Sequence, residues 1–126
     1  MQRQMLKSKI HRATVTDCDV DYIGSITIDT ELMAGADLLT NEQVHVWDVD
    51  NGERFVTYVI EGEPGSGAIQ VNGAAAHLVE PGHKIIVASF GAYDEVDLER
   101  YAPVVVHVDD ANQPIAIDDR PEVLVA

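Results

Sequence analysis

Few side chains in this sequence stand in an arrangement that could do chemistry. The chain has no G-x-S-x-G elbow, H-E-x-x-H pair, phosphate-binding loop or dinucleotide fingerprint. Its one cysteine, Cys18, has no second thiol with which to form a disulfide or a multi-thiolate metal site. The five histidines lack the short spacing of metal ligands and are typical of surface or strand positions: His11, His45, His77, His83 and His107. We therefore expect no metal site.

Two places remain as candidates, a Gly-Ser pair and an isolated arginine. Taken alone, Gly24-Ser25 is a turn residue followed by a strand residue. Arg54 is the only basic residue from Ala13 to His83, a stretch with 13 acidic residues. The chain has 22 Asp and Glu against eight Lys and Arg, a formal net charge of -14, which argues against a nucleic-acid partner. Arg54 therefore either binds an anionic ligand or forms a surface ion pair.

The elements that would position these residues are mostly strands. Alternating polar and apolar residues predict strands at 25–29 and 44–49, and Asp50-Asn51-Gly52 predicts the tight turn of a hairpin that returns at 54–60. Other runs predict strands at 68–71, 84–90, 104–108 and 115–117, the last two as a hairpin. Two short helical segments are predicted: one turn at 74–77, and a segment capped by Asp29 or Thr30 with Leu32, Met33, Ala36 and Leu39 on one face.

This pattern indicates a mainly β fold, a compact β-barrel with short helices. The 126 residues suit a single domain over 1–126. No stretch approaches the roughly 18 apolar residues that a membrane span needs. The first residues also lack the apolar run of a secretory signal. We therefore expect a cytoplasmic protein that makes no membrane contact.

Several linked motifs occur in register along most of the chain. They are Met5-Leu6-x-Ser8-Lys9-Ile10-His11-Arg12-Ala13-Thr14-Val15-Thr16, Asp21-Tyr22-x-Gly24-Ser25-x-Thr27-Ile28-Asp29, Asn51-Gly52-x-Arg54-Phe55-x-Thr57-Tyr58, Gly65-Ser66-Gly67-x-Ile69-x-Val71-Asn72-Gly73-Ala74-Ala75-Ala76 and Gly82-x-x-Ile85-Ile86. Over about residues 1–92 this set closely resembles the pyruvoyl-dependent aspartate 1-decarboxylase family, with unbroken spacing.

The resemblance implies a double-psi β-barrel that makes its cofactor from its own chain. The family breaks the peptide bond between the residues matching Gly24 and Ser25, which here would give fragments 1–24 (the β chain) and 25–126 (the α chain). The serine hydroxyl attacks the preceding carbonyl, and elimination then leaves a covalently bound pyruvoyl group in place of Ser25. A glycine at position 24 suits this step because it permits a strained backbone and a close approach. Thr57 matches the residue that stabilises the oxyanion of the rearrangement.

The resemblance also implies roles in turnover. The substrate amine forms a Schiff base with the pyruvoyl carbonyl, which accepts the electron pair left as CO2 departs, so neither pyridoxal phosphate nor a metal is required. Tyr58 matches the proton donor to the α-carbon. Arg54 matches the residue that binds a substrate carboxylate, and Lys9 resembles a second cationic contributor. The other residues matching the substrate pocket are Thr57, Asn72, Gly73, Ala74 and Ala75.

The implied function is decarboxylation of L-aspartate to β-alanine and CO2 for pantothenate and coenzyme A biosynthesis. Arg54 and Tyr58 are four residues apart on one strand, so their Cα atoms are roughly 13 Å apart. Either Arg54 reaches inward or two subunits contribute to each site, as in the family's homotetramer.

Two alternative functions stay open. One is a pyruvoyl decarboxylase of another acidic amino acid such as glutamate, and the other is a non-catalytic barrel that serves as a binding or assembly module.

Overall fold

The chain is mainly β, as predicted. The computed structural model describes residues 1–119, which form nine strands: β1 (Arg3–Thr14), β2 (Asp17–Asp19), β3 (Ser25–Asp29), β4 (Gln43–Asp48), β5 (Arg54–Gly62), β6 (Ile69–Asn72), β7 (Lys84–Tyr93), β8 (Val104–Val108) and β9 (Pro114–Asp118). Helix α1 (Thr30–Gly35), a 3₁₀ helix (Gly73–His77) and helix α2 (Glu95–Leu98) lie between strands. The double-psi connectivity and the limits of the two fragments stay predictions. Residues 120–126 of the larger fragment lie outside the described residues.

The strands form one sheet in the order β2-β6-β3-β5-β4-β7-β1-β8-β9. Three of the pairings among the described strands are parallel, β1 with β8, β2 with β6 and β3 with β5. Parallel neighbours cannot be joined by a tight turn, so the chain must cross over between them. This crossing brings the start of β3 beside β5 and β6, which lie far from it in sequence. No helix within residues 1–119 is long and apolar enough to cross a membrane.

Side chains from one face of the sheet form the hydrophobic core. On β3 and β6, four aliphatic residues are fully buried: Ile26, Ile28, Ile69 and Val71. They alternate with polar residues and pair across the two strands, Ile26 with Val71 and Ile28 with Ile69. Burial of each such side chain contributes about 1.5–3 kcal/mol to stability. Because side chains alternate along a strand, the opposite face of β3 and β6 carries polar groups.

The predicted hairpin over residues 44–60 is confirmed. Strands β4 and β5 are antiparallel, with Val46 opposite Phe55 and Trp47 opposite Arg54. The buried Asp48 carboxylate accepts backbone N–H bonds from Asp50 at 2.8 Å and Asn51 at 3.2 Å, which closes the turn. The predicted hairpin near the end of the chain is also present as antiparallel β8 and β9.

Helix α1 begins where the sequence predicts and ends sooner. Asp29 caps it by accepting a hydrogen bond from the backbone N–H of Glu31. Leu32, Met33 and Ala36 are buried as predicted. The placement of Leu39 on the buried face is wrong, since Leu39 is 70% exposed. The helix ends at Gly35 and Asp37 has a left-handed φ of 53°, so the helical period does not extend to Leu39.

Candidate active site

The Gly24-Ser25 peptide bond lies where the chain enters the sheet. Gly24 is exposed, whereas Ser25, the first residue of β3, is only 1% exposed. Ser25 pairs with Asn72 at the end of β6. The bond predicted to break therefore joins a solvent-accessible glycine to a buried serine.

Two hydrogen bonds hold the Ser25 hydroxyl. Its Oγ donates to the carbonyl oxygen of Ile23 at 2.8 Å and accepts from Nδ2 of Asn72 at 3.0 Å. The same Nδ2 also donates to Oγ1 of Thr27 at 3.0 Å. A hydroxyl oxygen has two lone pairs, so one lone pair of Ser25 Oγ remains unengaged. A serine held in this way is suited to nucleophilic attack on a neighbouring carbonyl.

The predicted pocket segment begins at Gly73, which touches the candidate cleavage site. Gly73 has a φ of +75°, and a Cβ built on it would lie 2.6 Å from the Cα of Gly24. Only a glycine allows this approach, since a side chain at Gly73 would displace Gly24. Ala74 and Ala75 follow in the 3₁₀ helix, Ala74 exposed and Ala75 packed against the core.

Tyr58 and Thr57 lie on the other side of β3, on strand β5. The parallel register pairs Ile26 with Val59, so Tyr58 is the next residue in register with Ser25 and shares its face of the sheet. Alternation along β5 directs Thr57 to the opposite face, and it pairs with the buried Val44. Both Thr57 and Tyr58 are half-buried. Within one chain, Tyr58 therefore lies on the same face of the sheet as Ser25. Thr57 lies on the opposite face, so this register does not explain the oxyanion role predicted for Thr57.

Arg54 stands apart from this cluster. It is exposed at the start of β5, and its guanidinium carbon lies 5.1 Å from the centre of the Trp47 ring. The groove around it is lined also by His45, Val56 and Phe90. Arg54 shares a face of β5 with Tyr58 but is separated from it by four residues, about 13 Å between Cα atoms.

Lys9 is also distant from Ser25 along the sheet. It lies nine-tenths buried on β1, and strands β5, β4 and β7 separate β1 from β3. Burial lowers the pKa of Lys9 below its ordinary value of 10.5. The structure thus groups Gly24, Ser25 and Gly73 with Asn72 and Tyr58, and it leaves the two predicted cationic residues outside that group.

Two further residues have features that the sequence did not single out. His11, two residues after Lys9, is 8% exposed, and neither of its ring nitrogens has a hydrogen-bond partner among residues 1–119. Burial, together with the nearby charges of Lys9, His107 and Arg12, lowers the pKa of His11 to about 4. Gln70 donates from Nε2 to Oδ1 of Asn72 at 2.7 Å. The one sequence feature that could have pointed to Gln70 is its position two residues before Asn72, because residues two apart on a strand lie on the same face.

The described residues include one group of three potential metal ligands, Asp48, Asp50 and His83. Nδ1 of His83 lies 2.6 Å from Oδ2 of Asp48, and Oδ2 of Asp50 accepts from the backbone N–H of Lys84 at 2.7 Å. These bonds join the β4–β5 turn to the start of β7 and account for the grouping without an ion.

Comparisons with known proteins identify the family of the chain. Residues 1–115 match the sequence model of the family described as aspartate decarboxylase. The chain belongs to the aspartate decarboxylase family. An aspartate 1-decarboxylase of Mycolicibacterium smegmatis is 55% identical over 121 residues, which cover 96% of this chain and 89% of that protein. The chain is accordingly an enzyme with the activity of the aspartate decarboxylase family, and the resemblance stated from its motifs is confirmed.

Proposed function

We propose that this chain cleaves itself between Gly24 and Ser25 and then decarboxylates L-aspartate to β-alanine and CO2 with a pyruvoyl group derived from Ser25. We assign the product to pantothenate and coenzyme A biosynthesis in the cytoplasm. The observation that carries the proposal is the setting of Ser25. A buried hydroxyl, fixed by Ile23 and Asn72, directly follows an exposed glycine that packs against Gly73.

Cleavage uses atoms that are already neighbours in the chain. Ser25 Oγ attacks the carbonyl carbon of Gly24, the C–N bond breaks, and the nitrogen of residue 25 takes up the proton, which leaves an ester. Loss of the Cα proton then breaks the Cβ–Oγ bond, so Gly24 leaves as a carboxylate. The resulting dehydroalanine reacts with water to give a pyruvoyl group and ammonia. Asn72 fixes the position of the attacking oxygen through the hydrogen bond that it donates to Ser25 Oγ.

The surroundings of residue 25 fit a pyruvoyl group. The Asn72 amide can donate to a carbonyl oxygen as it donates to the hydroxyl. When formed, the group supplies an electron-accepting carbonyl to the substrate. Tyr58 lies next to residue 25 in register, and its phenol is suited to deliver a proton to the α-carbon after CO2 is lost. The backbone of Gly73, Ala74 and Ala75 borders the place where the substrate would bind.

The separation of the cationic residues supports a site shared between subunits. The Cα atoms of Tyr58 and Arg54 are about 13 Å apart. The Arg54 guanidinium lies 5.1 Å from the ring centre of Trp47, which is opposite Arg54 on β4, so it does not reach along β5 toward Tyr58 of the same chain. The surface around Arg54 is partly apolar, with Val56 54% and Phe90 41% exposed, as is typical of a face that packs on a partner. We therefore propose a homotetramer in which Arg54 and Lys9 of one subunit complete the site at Ser25 of another.

The test separates cleavage from turnover with three variants. Ser25→Ala should abolish both, because alanine has no nucleophile. Tyr58→Phe should cleave normally and then lose about 10²–10⁴-fold in turnover, the usual contribution of a general acid. Thr57→Val tests the oxyanion role that the family motif implies for Thr57 and should, if that role holds despite the register, slow cleavage itself. Intact mass gives the extent of cleavage, and β-alanine release gives the turnover.

Two results would contradict these roles. Normal turnover by cleaved Tyr58→Phe would move proton donation to another residue. Turnover by uncleaved Ser25→Ala would remove the pyruvoyl group from the mechanism. Equal kcat/KM for aspartate and glutamate in the wild type would favour the broader acidic-amino-acid decarboxylase over the aspartate-specific enzyme.

A further inference from the structure

Gln70 lies outside the motif residues, yet it is hydrogen-bonded to the cleavage site through Asn72. It sits on β6, opposite Thr27 of β3 and beside Asp17 of β2. Its Nε2 donates to Oδ1 of Asn72 at 2.7 Å. Asn72 in turn donates to the Ser25 hydroxyl. A three-residue chain of hydrogen bonds therefore runs along one face of the sheet from Gln70 to the nucleophile.

Only one orientation of the Asn72 amide satisfies this chain. The Ser25 hydroxyl has one proton, and that proton is directed to the carbonyl oxygen of Ile23 at 2.8 Å. Ser25 must then accept from Asn72, so the amide nitrogen faces Ser25 and Thr27. The amide oxygen consequently faces Gln70, which must donate. In this orientation the Asn72 amide oxygen needs a donor, and Nε2 of Gln70 supplies it.

We propose that Gln70 is a positioning residue for self-cleavage, acting through Asn72 to hold the Ser25 hydroxyl in the orientation in which it donates to Ile23. The inference rests on the proposed cleavage at Gly24-Ser25. If the Asn72 amide were reversed, its oxygen would face the hydroxyls of Ser25 and Thr27. Ser25 would then donate its proton to Asn72 and release Ile23, and its oxygen would turn away from the geometry described above.

The test replaces the donor by a group whose donor capacity depends on pH. In Gln70→Glu an ionised carboxylate can only accept, so it selects the reversed Asn72 amide, whereas a protonated carboxyl can donate and restores the native one. The charged groups that β2 places beside this position are Asp17 and Asp19, while β3 contributes the uncharged Ser25 and Thr27. Tyr58 lies one strand further away on the same face. The two β2 carboxylates favour the neutral form of the introduced carboxyl, so its pKa rises toward neutral pH.

Cleavage of freshly purified protein is followed by intact mass across a pH series. Gln70→Glu should cleave about tenfold more slowly than the wild type at about pH 8, and the ratio of the two rates should rise toward one as the pH falls to about 5. Gln70→Met, of similar size and without a donor, should be about fivefold slower, with the same ratio at every pH. Gln113→Glu adds the same charge at a half-buried position in the turn between β8 and β9, outside the Gln70–Asn72–Ser25 chain of hydrogen bonds, and should match the wild type throughout.

The outcomes separate this inference from the function on which it rests. If the wild type does not cleave, the proposed function fails and the inference fails with it. If the wild type cleaves and a folded Gln70→Glu shows the same rate ratio at every pH, only the role of Gln70 is overturned. Should Gln70→Glu not fold, Gln70→Met decides, and a wild-type rate in that variant overturns the inference.

Discussion

The contact between Gly73 and Gly24 leads to a prediction that the structure can quantify. A Cβ at Gly73 would lie 2.6 Å from the Cα and 2.9 Å from the nitrogen of Gly24. Carbon atoms in contact stay about 3.5–4.0 Å apart, so Gly73→Ala must move the Gly24 backbone by about 1 Å. A displacement of that size between reacting groups costs about 10²-fold in rate, or about 2.7 kcal/mol of activation free energy.

Backbone strain contributes separately and needs a control. Gly73 has a φ of +75°, and alanine in this region costs about 1–2 kcal/mol of stability. Gly52 has a nearly identical φ of +77° and open space where a Cβ would be. Gly52→Ala therefore carries the same backbone strain without touching Gly24. Urea unfolding should show a loss of about 1–2 kcal/mol of unfolding free energy for Gly52→Ala, and a larger loss for Gly73→Ala because the contact with Gly24 adds to the strain.

The assay is the rate of self-cleavage, followed by intact mass at a temperature where both variants are folded. Gly73→Ala should cleave about 10²-fold more slowly than the wild type, whereas Gly52→Ala should stay within about twofold of it. Equal cleavage rates in the two alanine variants would show that the approach of Gly73 does not position the scissile bond.

Three further changes test the substrate contact and the stability of the fold. Arg54→Ala should cleave normally but lose at least about tenfold in kcat/KM for aspartate, with Arg54→Lys recovering part of it, and an unimpaired Arg54→Ala would refute the carboxylate contact. The hydrogen bond with Asp48 raises the pKa of His83 above its usual 6.5. The contribution of protonated His83 to the stability of the fold is therefore fully present below about pH 6.5 and is lost as the pH rises through the raised pKa. Urea unfolding of wild type and His83→Gln should therefore differ more at about pH 5.5 than at about pH 9, and a constant difference would contradict this. The buried Asp29 carboxylate accepts three backbone N–H bonds, so Asp29→Ala should lower the unfolding free energy by at least about 2 kcal/mol, and a loss below about 0.5 kcal/mol would refute that role.

The elements predicted correctly are those whose local pattern agrees with their burial. Strands β3 and β4 alternate polar and apolar residues, β5 is a run of β-branched and aromatic residues, and Asp50-Asn51-Gly52 provides the turn chemistry, so the hairpin of β4 and β5 could be predicted from the sequence. Strand β1 was not predicted, because Ser8, Lys9 and His11 are polar and yet buried between β7 and β8. Register shifts between Leu6 and Ser8 and between Ile10 and Ala13 further interrupt its alternation. The short strand β2 and helix α2 were also missed.

The residues of the candidate site could be predicted from the sequence more fully than their arrangement in space. The motifs pointed to Gly24, Ser25, Asn72 and Gly73, and the fold brings these four together. Their proximity depends on the pairing of β3 with β6, a long-range contact that local patterns do not determine. The proposed role of Gln70 could not be predicted from the sequence for the same reason, because it depends on a side-chain hydrogen bond on that face of the sheet.

The intact mass of the purified protein tests the central claim most directly. Cleavage at Gly24-Ser25 of this 126-residue chain should yield a fragment of 24 residues and one of 102 residues. The larger fragment should be blocked to Edman sequencing, because a pyruvoyl group replaces its amino terminus. A single full-length chain after prolonged incubation, with no 24-residue and no 102-residue fragment, would contradict the account.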